Sequence, residues 1–198
     1  MKKELDDIFY SNIYKSGGWN QSYFKHYSKS PCLNVWSIAM NWLSKENMND
    51  ISVLDIGCGV GQVAHMLFDL GLPKENYIGF DFSQEAINQA KARVLEWSDR
   101  FYVDNVYTTN LYKKNITHVL IFEVLEHIND DLFVLNSIPQ GTQIFGSVPN
   151  IDSEGHVRIF LNEQEVKNRY QNHLEFEQII PIKLGKSEID FIFKATKK

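Results

Sequence analysis

Two hydrophobic periods take turns along this chain. Ile51 to Ile56 is a short apolar run of β type, and Val60, Val63, Ala64, Leu67 and Leu70 then recur at helical spacing. The succession repeats. Tyr77-Ile78-Gly79-Phe80-Asp81 reads as a second strand, and Ala86, Ile87, Ala90, Val94 and Leu95 mark the buried side of a helix over 84–97, opened by Ser83 with Glu85 in its first turn. A short third strand covers 100–105, and a fourth covers 117–122. Asn129-Asp130-Asp131 opens a helix to about Pro139, and a fifth strand runs from Gly141 to Val148. Asn162 and Glu165 form a capping box over a helix at 163–172. Strands around 174–182 and 188–195 close as an antiparallel hairpin about Leu184-Gly185-Lys186. Upstream, Ser30-Pro31 reads as an N-cap with proline at the first helical position, and Trp36, Ala39, Met40 and Leu43 predict a helix over 31–45. Alternating strands and helices imply an α/β fold, its sheet mostly parallel with helices on both faces.

The first strand runs into Asp55-Ile56-Gly57-Cys58-Gly59-Val60-Gly61-Gln62, three glycines at alternate positions between strand and helix. Glycine tolerates backbone angles that other residues resist, and it lets a ligand approach the main chain. Gln62 stands where the dinucleotide fingerprint needs its last glycine, and no Lys-Ser/Thr pair follows to make a P-loop. Asp55 ahead of the glycines would repel a diphosphate and attract an ammonium. Asp81 ends the second strand, where a carboxylate can accept from both hydroxyls of a ribose.

This run resembles motif I of the class I S-adenosylmethionine (SAM)-dependent methyltransferases, written in that family close to V-L-D-I-G-C-G-x-G. The resemblance covers roughly residues 50–198. It implies a Rossmann-like sheet of seven strands with an antiparallel last strand, and SAM as cofactor. It implies cofactor contacts from Asp55, Gly57, Cys58, Gly59, Gly61, Asp81 and Phe82, with adenine at Asp104 or Asn105, although Asp-Asn at a strand end is also plain turn chemistry. Residues 1–50, rich in aromatics, are expected as a helical segment over the active site ahead of a methyltransferase domain at 51–198. Tyr14 and Trp19 are its candidates for cofactor or substrate contact.

Glu123-Val124-Leu125-Glu126-His127 follows the fourth strand, and His156 follows the fifth. Ligands of open α/β sheets sit beyond the carboxyl ends of the strands, so these side chains are expected at the same mouth as the glycines. E-V-L-E-H with a downstream His resembles the ubiquinone-biosynthesis O-methyltransferases. It is also similar to small-RNA 3′-terminal 2′-O-methyltransferases, where such a set holds magnesium. Carried over, Glu123, Glu126, His127 and His156 would ligate Mg2+. Without metal, Glu126, His127 and His156 are the catalytic candidates, with His127 or His156 as general base, or the cluster only shapes the pocket. Arg158 reads as a structural ion pair or a partner for an acidic substrate.

Composition narrows the field. With 198 residues, 43% hydrophobic and 13% aromatic, the chain can bury a substantial core. Its formal charge of −5 counts against nucleic acid as partner and favours a small-molecule substrate. Cys32 and Cys58 have no metal or redox spacing; with no signal-peptide pattern and no membrane span expected, a cytoplasmic location follows. The expected activity is transfer of methyl from SAM to an oxygen of a small molecule. RNA 2′-O-methylation, small-molecule N-methylation and a non-catalytic SAM-fold partner protein are the alternatives.

Overall fold

The computed structural model describes residues 3–198, the side chain of Trp19 lying outside that description. Seven strands make a mostly parallel sheet, distributed over two compact units. Residues 6–109 form the first; residues 110–198, with 3–5, form the second.

In the first unit β1 (Val53–Ile56), β2 (Tyr77–Asp81) and β3 (Phe101–Val103) lie parallel, with β2 in the middle. Every residue of β1 is buried, as a strand covered on both faces requires. The helices are α1 (Asp7–Ser16), α2 (Leu33–Leu43), α3 (Gln62–Asp69) and α4 (Gln84–Arg93). Asp6 caps α1, accepting from the Phe9 N–H at 2.9 Å, and Gly17 ends it in the left-handed region at φ 82°. Ser83 caps α4 as expected, accepting from the Ala86 N–H. Three boundaries differ from the sequence reading. Helix α2 starts at Leu33, after Cys32, because Ser30 spends its hydroxyl on the Cys32 N–H in a turn of its own. Helix α4 stops at Arg93, and a 3-10 turn over Leu95–Arg100 carries Trp97 into the core, where it stacks on Tyr77 at 4.9 Å. Strand β3 is only three residues long, because Asp104 and Asn105 already belong to a turn.

The second unit holds β4 (His118–Phe122), α5 (Asp131–Ser137), β5 (Gln143–Pro149), α6 (Glu163–Tyr170), β6 (Leu174–Lys183) and β7 (Ile189–Lys197). Strands β4 and β5 are parallel; β7 runs antiparallel to both β5 and β6, with a bulge at Phe176/Gln178. Asn162 caps α6 by accepting from the Glu165 N–H, but Glu165 returns its carboxylate to the Leu161 N–H, one residue further out than a standard capping box. Buried Asp131 ties α5 to α6, accepting from Arg169 Nε at 2.7 Å and Tyr170 Oη at 2.8 Å. Arg158 joins this network, 3.2 Å from Asp131 and bonded to the Leu125 and Asn129 carbonyls, which is the structural ion-pair reading. This is the Rossmann-like, mostly parallel sheet with an antiparallel end that the residue pattern implied. Among the described residues no helix is long and apolar enough to cross a membrane.

Candidate active site

The glycine turn in the first unit is built as its sequence demands. Gly57, Gly59 and Gly61 have φ of 69°, 52° and 74°, all left-handed. The Gly57 and Cys58 N–H groups both donate to the Phe80 carbonyl, at 2.9 and 3.0 Å, tying the turn to β2. Asp81 is 4% exposed and closes the arrangement: it accepts from the Gly59 N–H at 3.1 Å, from the Ser83 N–H at 2.9 Å and from the Tyr14 hydroxyl. Burial dominates those bonds and pushes its carboxyl up to about 6. A Cβ on Gly59 would meet only Tyr14, whose hydroxyl is 3.5 Å away. On that side the backbone is open to close approach. Tyr14, Gly59 and Asp81 are therefore brought together, and Phe82 follows with its ring 5.3 Å from Tyr10.

Asp55 has a different contact from the one its charge suggested. Its carboxylate is 2% exposed and accepts from Tyr77 Oη at 2.9 Å; burial first, then Asp81, raise it to about 7. It underpins the turn from inside. Asp104 accepts from the Asn105 N–H and the Thr109 hydroxyl, and Asn105 accepts from the Tyr107 N–H, so these oxygens are engaged in turn bonds. Gln62, where a dinucleotide site would have glycine, is buried and gives its amide to the Ser22 and Lys25 carbonyls at 3.1 and 3.0 Å. Arg93 adds bonds to the Val60, Lys25 and Tyr23 carbonyls. These ties hold residues 22–25 against the helix that leaves the glycine turn. Trp19's side chain lies outside the described residues.

The second unit carries the Glu/His cluster. Ligand atoms of Glu126, His127 and His156 lie within 4.8 Å of one another. Glu126 is fully buried with neither oxygen hydrogen-bonded among the described residues, and His127 Nε2 lies 3.5 Å from its Oε1. His127 Nδ1 faces the Gly155 carbonyl at 3.1 Å, and His156 Nδ1 faces the Ile151 carbonyl at 2.8 Å. A carbonyl can only accept, so each Nδ1 carries a proton, and a neutral ring then keeps its lone pair on Nε2. The rings meet edge to face at 4.6 Å. Burial, then His156, lower His127 to about 4, so its imidazole is neutral at ordinary pH. Two imidazoles and a buried acid without a hydrogen-bond partner among the described residues suit a divalent cation. Beside His156 opens a pocket of about 550 Å3, lined also by Lys3, Leu5 and residues 152–155.

Glu123 stands apart from this triad. It accepts from the Ser147 hydroxyl at 2.8 Å and faces Asp190 of β7. Burial, then repulsion from Asp190 and Glu126, push the Glu123 carboxyl well up, and burial raises Asp190 to about 6. Asp190 escaped the sequence reading. Its signal was a lone acid in the strand Ile189-Asp190-Phe191-Ile192-Phe193, where it is fully buried.

Comparison with known proteins agrees with this geometry. Residues 53–138 match the methyltransferase domain family. A ubiquinone biosynthesis O-methyltransferase from Colwellia psychrerythraea is 26% identical over 130 residues, 62% of this chain and 52% of that protein. The chain thus spans about half the length of the relative it matches. Magnesium protoporphyrin IX methyltransferase from Synechocystis, solved with bound SAM, superposes with a TM-score of 0.72 at 15% identity, covering 100% of both chains. Geranyl diphosphate C-methyltransferase from Streptomyces coelicolor, in complex with Mg2+, geranyl diphosphate and S-adenosylhomocysteine, gives 0.64 at 14% identity over 82% of this chain and 79% of its own. The domain match at the glycine turn makes residues 53–138 similar to the methyltransferase domain family, and the fold around it is the one that SAM-dependent methyltransferases share.

Proposed function

We propose that the protein transfers a methyl group from SAM to an oxygen of a small-molecule acceptor. Three left-handed glycines with Asp81 at their edge support the donor half, and similarity to an O-methyltransferase favours oxygen. SAM supplies an already activated methyl on its sulfonium, so the chain has only to bind, align and dispose of one proton. In this reading Asp81 turns its carboxylate to the ribose, the Gly57–Gly61 backbone takes the amino-acid end, and Asp55 keeps the turn's interior acidic. Asp104 or Asn105 faces the adenine, with Cys58, Phe82, Tyr14 and Trp19 completing the donor contacts of the first unit.

On the acceptor side, Glu126, His127 and His156 would hold a divalent cation, which would polarise an acceptor hydroxyl. The orphaned Glu126 carboxylate carries this assignment, since an unsatisfied buried acid is costly and two lone-pair nitrogens lie beside it. Two imidazoles suit iron or zinc better than magnesium. Glu123 would then support the triad through Ser147 and Asp190.

Calorimetry with SAM tests the donor half. Asp81→Ala should weaken binding by at least about 1.4 kcal/mol, a factor of ten; unchanged affinity would remove Asp81 from the ribose. For the acceptor half, turnover of phenolic and other hydroxyl acceptors should vanish on exhaustive chelation and return with added Fe2+ or Zn2+. Full turnover in EDTA would show the cluster to be metal-free.

A further inference from the structure

We infer that His26, His65 and Asp69 form a second cation site, one that takes a divalent ion of the zinc class. His65 and Asp69 are four residues apart on α3 and so share a face. His26 stands just before the 3-10 turn Tyr27–Lys29, its ring edge to face with His65 at 4.9 Å. One ligand atom from each of the three lies within 4.8 Å of the others. Tetrahedral zinc with bonds of about 2.0–2.2 Å holds its donors roughly 3.3 Å apart. The closure needed is within reach of His26 and Asp69, both exposed side chains.

The surroundings are those of ligands already oriented. Tyr27 donates its hydroxyl to Asp69 Oδ2 at 2.5 Å, which leaves Oδ1 toward His65 Nε2 at 3.9 Å. His26 Nδ1 accepts from the Ser28 N–H at 3.3 Å and lies 2.9 Å from the Ser28 hydroxyl, which fixes the ring and leaves Nε2 as its free edge. His65 turns Nε2 to Asp69 Oδ1, so the nitrogen that would coordinate is the one on the carboxylate's side. Two imidazoles and one carboxylate select zinc-like ions over calcium or magnesium, and with three protein ligands a position stays open for water. Such an ion would fasten the 27–29 turn to α3. It would reinforce the grip that Gln62, at the start of α3, already has on the Ser22 and Lys25 carbonyls. The site is thus a metal clip on the N-terminal segment, separate from the Glu126 triad.

Zinc titration of the chelator-stripped full chain, followed by calorimetry and thermal melting, tests it. The chain should bind zinc with a rise in Tm. In a His127→Ala/His156→Ala background, where the Glu126 triad takes no zinc, adding His26→Ala/His65→Ala should weaken the remaining binding at least tenfold, and Asp69→Asn should weaken it in a chain whose circular dichroism is unchanged. The pair His127→Ala/His156→Ala should retain it. Absence of zinc uptake, or uptake lost only in the His127/His156 variant, would overturn the inference. If the His26/His65 variant fails to fold, zinc protection of His65 from diethylpyrocarbonate in the unmutated chain decides: protection supports the clip, and full modification sinks it.

Discussion

At the scale of single residues, the buried acids shape this protein's response to pH. Asp55 titrates near 7 in the folded chain against an ordinary 3.8, because burial outweighs the Tyr77 hydrogen bond. A carboxyl raised on folding holds its proton more tightly when folded, so its contribution favours folding at low pH. That contribution is lost as pH rises from about 4 through about 7. Above that window the ionised Asp55 weighs against the fold by something on the order of 4 kcal/mol. Asp55→Asn removes the ionisation and keeps an acceptor for Tyr77. Without SAM, the variant should melt higher than the unmutated chain at pH 8, by about 5 °C or more at ~2–4 °C per kcal/mol. The gap should close as pH falls toward 4, and equal melting temperatures at pH 8 would contradict it. Nothing in the run V-L-D-I-G announces this, since a sequence shows that Asp55 precedes a glycine but not that Tyr77 of the next strand turns its hydroxyl inward to meet it.

Among elements, the strand–turn–helix at 53–69 was the most legible part of the chain, and its glycines divide the labour. A Cβ on Gly61 would come within 3.0 Å of Ala90 Cβ and 3.1 Å of its Cα, at φ 74°. Gly61 exists so that α3 can approach α4. On Gly59 the same Cβ meets nothing closer than the Tyr14 hydroxyl at 3.5 Å. Gly61→Ala should therefore cost roughly 1–3 kcal/mol of stability, through left-handed strain and overpacking. Gly59→Ala should cost about 1 kcal/mol from strain, yet weaken SAM binding more than Gly61→Ala does. Melting curves set beside calorimetry separate the two; Gly59→Ala losing more stability than affinity would argue that its open side faces no ligand. Elements whose ends depend on side-chain competition were read less well. Helix α2 begins at Leu33 because Ser30 makes its own turn, and β3 ends at Val103 because Asp104 and Asn105 bond locally. Glu123 is the same lesson inside the site: spacing grouped it with Glu126 and the histidines, but a φ of 55° after β4 and the bond from Ser147 turn it toward β5.

At the scale of the whole molecule, hydrophobic periodicity revealed the fold because parallel strands covered on both faces read as unbroken apolar runs. The donor half was legible for a related reason: close approach to a backbone leaves glycines in the sequence. The Glu126 triad, proposed for the acceptor, left no such trace, since the backbone carbonyls of Ile151 and Gly155 orient its histidines and a carbonyl has no residue type. The choice between a small molecule and RNA therefore rests on charge. At −5 the chain lacks the excess of Lys and Arg that would neutralise phosphates and release counterions. Single-stranded RNA should show no saturable binding to the full chain at about 0.15 M salt, near the physiological range where the Debye length is about 8 Å. Fluorescence anisotropy with a labelled RNA of about 20 nucleotides measures this directly. Tight binding that survived that salt and weakened in His127→Ala/His156→Ala would transfer the Glu126 triad to an RNA 2′-hydroxyl, and the small-molecule assignment would be abandoned.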